Sequence, residues 1–233
     1  MSKPYSCSFG PKSNASFDDI VEQFPAQTDL VDYPIKQQSK DSICAVAKNI
    51  SSVPPSSTSF DSPTQTYYIR IEPTKSDIAG SSLSTDKTQC LIIVGAEEFS
   101  QLTNAEQSFV IAHEKAHCEL GHKPLSVTAS TTQDQLSEGL AKRRREETRA
   151  DRLGAKISAK AGVNPDESMK FFYKLRTLEN KCHDFFSFLH PNSCAPDERF
   201  MDHPTADKRI ANYVKELPEL RELYQQAVNK LFP

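Results

Sequence analysis

Residues 113–122 read HEKAHCELGH and hold three of the chain's six histidines. No other stretch constrains the fold as tightly. His113 and His117 are four apart, and the residues around them predict a helix. Thr103-Asn104-Ala105-Glu106 is a capping-box pattern that opens it, and Phe109-Val110-Ile111-Ala112 gives it an apolar face. Gly121 supplies a left-handed stop. Residues four apart on a helix share one face, so both imidazoles project together. That is the pairing two ligands of a tetrahedral zinc ion require. Glu114 follows the first histidine and flanks the metal without binding it. A carboxylate there can accept a proton from a water held by the ion. Two neutral imidazoles in a half-buried helix are costly without partners, which disfavours a merely solvent-facing pair. Cys118 points about 100° away around the helix and is not counted as a ligand. His122 is too close in chain to ligate comfortably and is expected to face the helix dipole or solvent.

A zinc site needs a third protein ligand. A glycine three residues beyond His117 with a histidine three further on would mark one zinc class, but Leu120 and Lys123 stand there. Downstream, Glu138, Glu146 and Glu147 are candidates. Glu147 and Asp151 are four apart on a second predicted helix (about 140–161), so a ligand and an orienting acid could share its face.

The strands and remaining helices follow from pattern. YYIRIEP (67–73) and QCLIIVG (89–95) read as strands, with SDIAGSSLSTDK between them as loop, containing at most a short strand. KPLSVTASTTQDQLSEG (123–139) reads as loop or lid. Asn164-Pro165 starts a third helix, to about Asn180. Residues 181–204 form an irregular connection, and two helices broken at Pro218 close the chain. Residues 1–65 are rich in Ser, Pro, Thr and Gln, so 1–65 is expected to be a polar, partly flexible arm and 66–233 the main domain. Short helices are expected within the arm, from Ser16 to Phe24 and over 43–50.

Motifs in three places resemble one family: LIIVGAEEFSQLTNAEQSFVIAHEKAHCELGH, ETRADRLGA and HPTADKRI. They are similar to the gluzincin metallopeptidases that include HtpX and the zinc CAAX prenyl endopeptidases, metallopeptidase family forty-eight. The pattern H-E-x-x-H-x-x-x-x-H, then E-x-x-A-D, then H-P-x-x-x-x-R is matched in order and spacing, with His113, Glu114 and His117, then Glu147, Ala150 and Asp151, then His203, Pro204 and Arg209. The resemblance covers about 66–217. It implies one zinc per chain bound by His113, His117 and Glu147, and Glu114 as base. It also implies His203 as a stabiliser of the oxyanion and Arg209 as a buttress for an acid, Asp151; a competing expectation places His203 in the fourth zinc position of a latent state. The expected fold is α+β and zincin-like, a small, mostly antiparallel sheet packed on a helical zinc-binding core. The strand near Cys90–Val94 should line the cleft as an edge for an extended peptide. The chain departs from the family where SDIAGSSLS replaces a recognisable Asn-Ala strand.

The expected function is zinc-dependent hydrolysis of internal peptide bonds in protein substrates. The alternative is a zinc-stabilised binding or effector module that cuts nothing, although such a module has no need of Glu114. A net charge of −3 gives no push toward nucleic acid, and Lys142-Arg143-Arg144-Arg145 reads as a solvated face balanced by Glu146 and Glu147. No apolar run approaches the roughly 18–20 residues of a membrane span. Without an apolar N-terminal core, the chain is expected to be cytoplasmic, exported by a route that needs no such signal, or periplasmic with a signal already removed. The six scattered cysteines are expected to be reduced thiols, with a Cys182–Cys194 bridge as the exception in an oxidising compartment. Nothing in the sequence sets an oligomeric state.

Overall fold

The computed structural model describes residues 5–9, 37–51, 53, 66–72, 78–123, 131–186 and 203–231. The chain divides into two compact units, Met1–Lys123 and Pro124–Pro233. The architecture is α+β, as expected.

The first unit is built on a four-stranded sheet, β1 (Tyr5–Phe9), β2 (Thr66–Glu72), β3 (Ala79–Leu83) and β4 (Gln89–Gly95), in the order β1-β2-β4-β3. β1 and β3 pair antiparallel to their neighbours, while β2 and β4 run parallel. β2 is dominated by β-branched and aromatic residues and β4 by apolar ones, as two-sided burial requires. β3, with the sequence AGSSL, has little strand propensity of its own; it is a strand because β4 offers it a ladder. The expectation that the Cys90–Val94 strand forms a sheet edge is therefore corrected. β4 lies inside the sheet, and the edge on its side is β3. Asp86 tightens the β3–β4 turn by accepting from Ser84 Oγ, Thr88 Oγ1 and Thr88 N.

Helix α1 (Gln37–Ser51) buries Ile43, Ala47 and Ile50 along one stripe and packs on α3. Short α2 (Ala96–Ser100) follows β4 directly and leads to α3 (Asn104–Glu119). The capping box at its start is complete, with Thr103 Oγ1 accepting from Glu106 N and Glu106 accepting from Thr103 N. Both β1 and α1 come from residues 1–65. The proposed Ser16–Phe24 helix lies outside the described residues, as does the greater part of 187–204.

The second unit is helical: α4 (Gln133–Lys160), α5 (Pro165–Ser168), α6 (Lys170–Phe186) and α7 (Ala206–Leu231). Four boundaries differ from expectation, the first being the end of the third helix, at Phe186 rather than near Asn180. α4 begins about seven residues early, because Thr132 and Gln135 form a second capping box; within 123–139, only 124–130 lie outside the described residues. The third helix is split at Met169 into α5 and α6. The C-terminal pair is one helix that runs through Pro218. A proline within a helix removes one hydrogen bond and crowds the preceding turn, but Pro218 is exposed while Tyr213, Leu217 and Leu220 stay buried on either side of it. Packing of α7 on α4, with the Arg152–Glu216 and Lys156–Glu219 ion pairs between them, holds the two halves in line. Among the described residues no helix is long and apolar enough to cross a membrane.

Candidate metal centre

In the first unit α3 carries the histidine pair. His113 and His117 are buried, and their Nε2 atoms face each other at 3.0 Å. Two imidazole nitrogens bound to one tetrahedral ion at about 2.0–2.1 Å would stand about 3.3 Å apart. The pair is thus within a few tenths of an ångström of ligating geometry, and its neutral nitrogen donors suit a borderline-soft divalent ion. Glu114, one position round the helix, is also buried.

His122 is not where the sequence suggested. It is buried, and its Nδ1 lies 3.0 Å from Nδ1 of His117. The cause is the helix stop. Gly121 takes φ +67°, so Gly121 N reaches Cys118 O and His122 N reaches His117 O, each at 3.0 Å. This is the Schellman arrangement, which folds the second residue past the helix back over its last turn. The pairing of that residue with the one five places earlier was the available signal.

The cysteine expectation is corrected as well. Cys90 and Cys118 are joined in a disulfide that ties β4 to α3, and Cys44 is also disulfide-bonded. Cys118 is therefore no metal ligand, as its helical angle indicated. Cys194 lies outside the described residues.

On the back of α3, Lys115 is only 2% exposed. Its Nζ donates to Val53 O at 2.7 Å and Ile50 O at 3.4 Å, and pairs with Glu119 at 3.4 Å. Burial pulls its pKa down, against the opposing pull of Glu119. Tyr67 donates its hydroxyl to Glu119 at 3.5 Å, and burial, helped by that carboxylate, pushes its pKa well up.

In the second unit Glu147 is fully buried on α4. Arg143 Nη2 stands 2.9 Å from its Oε1 and His203 Nδ1 stands 2.9 Å from its Oε2. Arg143 belongs to the basic run read as a solvated face; its side chain is only 20% exposed. The i,i+4 spacing of Arg143 and Glu147 was visible in the sequence, but nothing there marked which of four cations turns inward. Asp151, one turn beyond Glu147, forms a two-pronged pair with Arg209: Nε to Oδ2 at 2.8 Å and Nη2 to Oδ1 at 2.5 Å. Arg209 also lies 4.9 Å over the Phe172 ring. The structure thus brings Glu147 to His203 and Asp151 to Arg209. His113 and His117 in the first unit and Glu147 in the second are each buried and each of a residue type that can ligate a metal ion.

Residues 133–217 match the family model described as Peptidase family M48. Over those residues the chain is similar to that family. The match takes in Glu147, Asp151, His203 and Arg209 and begins after the His113–His117 helix. Over 84 residues the chain is 30% identical to the mitochondrial metalloendopeptidase OMA1 of Saccharomyces cerevisiae, a stretch that is 36% of this chain and 22% of that protein. The chain therefore spans under a quarter of the curated relative it matches. No solved structure matches it.

Proposed function

We propose that the chain is a zinc-dependent endopeptidase of the gluzincin type with a zincin-like domain over 66–233, preceded by the 1–65 arm that contributes β1 and α1. The observation that carries this is the buried His113–His117 pair, its Nε2 atoms 3.0 Å apart on a capped helix, with Glu114 between the two histidines. His113, His117 and Glu147 would hold one zinc ion. Zinc bound there would polarise a carbonyl and lower the pKa of a water to about 7.

The protein's own groups do the rest. Glu114 accepts the proton of the attacking water and returns it to the departing amine. His203 is close enough to Glu147 to orient that carboxylate, and its ring, 47% exposed, can turn a donor toward the oxyanion. Arg209 holds Asp151 in one rotamer. An extended peptide would add to the β3 edge through main-chain bonds. The substrate class is protein. The Cys90–Cys118 disulfide favours an oxidising compartment, so export is the placement proposed.

The test is cleavage-site profiling of a proteome digest with the zinc-loaded wild type against Glu114→Gln. Internal cleavages present with the wild type and lost with the variant, both carrying one zinc, support the reading. Identical profiles, or no cleavage by either protein, refute it and favour the zinc-stabilised binding module.

A further inference from the structure

We propose that His122 is a positioning residue that fixes the tautomer and ring orientation of His117, an inference that rests on His117 being a metal ligand. His117 presents Nε2 toward His113 Nε2 and Nδ1 toward His122 Nδ1, each at 3.0 Å. A neutral imidazole that gives its Nε2 lone pair to a metal carries its proton on Nδ1. That N–H needs an acceptor in a buried place, and the atom facing it is His122 Nδ1. His122 must then be the tautomer protonated on Nε2. The two rings meet edge to face with centroids 5.0 Å apart, so the contact also restricts rotation of the His117 ring.

The placement follows from the chain's local chemistry. A right-handed continuation at residue 121 would carry residue 122 further round and away from His117. Gly121 takes the left-handed conformation at little cost, whereas a residue with a side chain is strained there. Among the described residues, no atom beyond the glycine's own chain neighbours lies within 4 Å of where a Cβ at 121 would sit. The glycine is therefore required for its backbone, not for space. The Schellman turn usually sets an apolar contact between these two positions; here it sets an imidazole on an imidazole. Partners of this kind, one bond removed from the metal, typically change metal affinity 10–100-fold when removed.

The test is zinc affinity of the full chain, by competition with a chromophoric chelator, in wild type, His122→Phe, His122→Asn and His117→Ala. Phenylalanine keeps the ring but offers no acceptor; asparagine places an oxygen near the Nδ1 position. We expect His122→Phe to bind zinc 10–100-fold more weakly, His122→Asn to recover at least half of that loss on a logarithmic scale, and His117→Ala to lose the site. Binding by His122→Phe within threefold of wild type, with His117→Ala inactive in binding, overturns the role of His122 and leaves the metal reading standing. Binding by His117→Ala equal to wild type overturns both. Long-range ¹⁵N–¹H spectra of the zinc-loaded wild type decide the matter even where a variant fails to fold. They should show His117 protonated on Nδ1 and His122 on Nε2, and the reverse assignment refutes the proposal.

Discussion

Lys115 sits between the two proposed ligands in sequence and on the opposite side of their helix, and replacing it tests how α3 is held. The ammonium is nearly inaccessible and closes the carbonyls of Ile50 and Val53 at the end of α1 while pairing with Glu119. Two effects oppose each other. Carrying a buried ammonium is costly, as its lowered pKa shows. Removing it costs more, because two buried carbonyls lose this donor, the buried Glu119 carboxylate loses its cation and a four-carbon stem leaves a cavity. Breaking one member of such a buried pair typically costs about 3–5 kcal/mol. We expect Lys115→Ala to lose that much, or roughly 10–20 °C in Tm for a unit of this size. Lys115→Met with Glu119→Gln, which refills the space and removes the orphaned charge, should recover more than half. The chain has no tryptophan, so far-ultraviolet circular dichroism in urea, under non-reducing conditions, is the assay. A loss below about 1 kcal/mol in Lys115→Ala would refute the view that this lysine fastens α1 to α3.

The remaining predictions concern the metal, the chemistry, the acid–arginine pair and alkaline stability. Metal analysis should find one zinc per chain, lost in His113→Ala, His117→Ala and Glu147→Ala; full occupancy in any of these variants sinks that ligand assignment. His203→Ala should keep its zinc and lose about 10²–10³ in kcat with little change in KM; full activity would remove His203 from the chemistry. Arg209→Ala leaves Asp151 buried without its guanidinium and should lower stability by about 3–5 kcal/mol, read by urea denaturation. Tyr67 keeps its proton in the folded state far above its ordinary 10.0. The stability it contributes is thus fully present below pH 10 and is lost as pH rises beyond it. Tyr67→Phe should flatten that alkaline decline in a pH series of melts, and an unchanged slope would contradict the assignment.

What the sequence made legible were features written in neighbouring residues. The α3 capping box needs only Thr103 and Glu106, and both of its bonds are present. β2 and β4 are declared by their own side chains, and the Arg209–Asp151 pair followed from matched motifs. The misses share one cause, which is that a distant partner decides them. AGSSL becomes a strand through β4 and in doing so takes the edge from it. Pro218 is tolerated because α4 packs along α7 on both sides of it. Arg143 turns inward because Glu147 is buried, and Cys118 finds Cys90 twenty-eight residues away. The early start of α4 is different: Thr132 and Gln135 were in plain view, hidden only by a polar composition that resembled loop.

A metal site on one helix demands that the helix not roll. Side-chain ends lie about 5–6 Å from a helix axis, so a 10° roll of α3 would carry the His113 and His117 nitrogens by about 1 Å, beyond the roughly 0.5 Å that a preorganised site tolerates. Counting 100° per residue, Cys118 stands about 120° from the ligand face and Lys115 about 180° from it. One is tied covalently to β4 and the other to the end of α1. Either attachment alone would act as a pivot; two at different angles oppose rotation in both senses. The Gly121 turn then fixes the C-terminal end and sets His122 on His117. None of these groups is a proposed ligand, yet each limits where a ligand nitrogen can be. The ten residues HEKAHCELGH therefore encode more than two ligands and a base. Lys115, Cys118 and Gly121-His122 occupy the remaining positions because the helix must be held on the sides its ligands do not use.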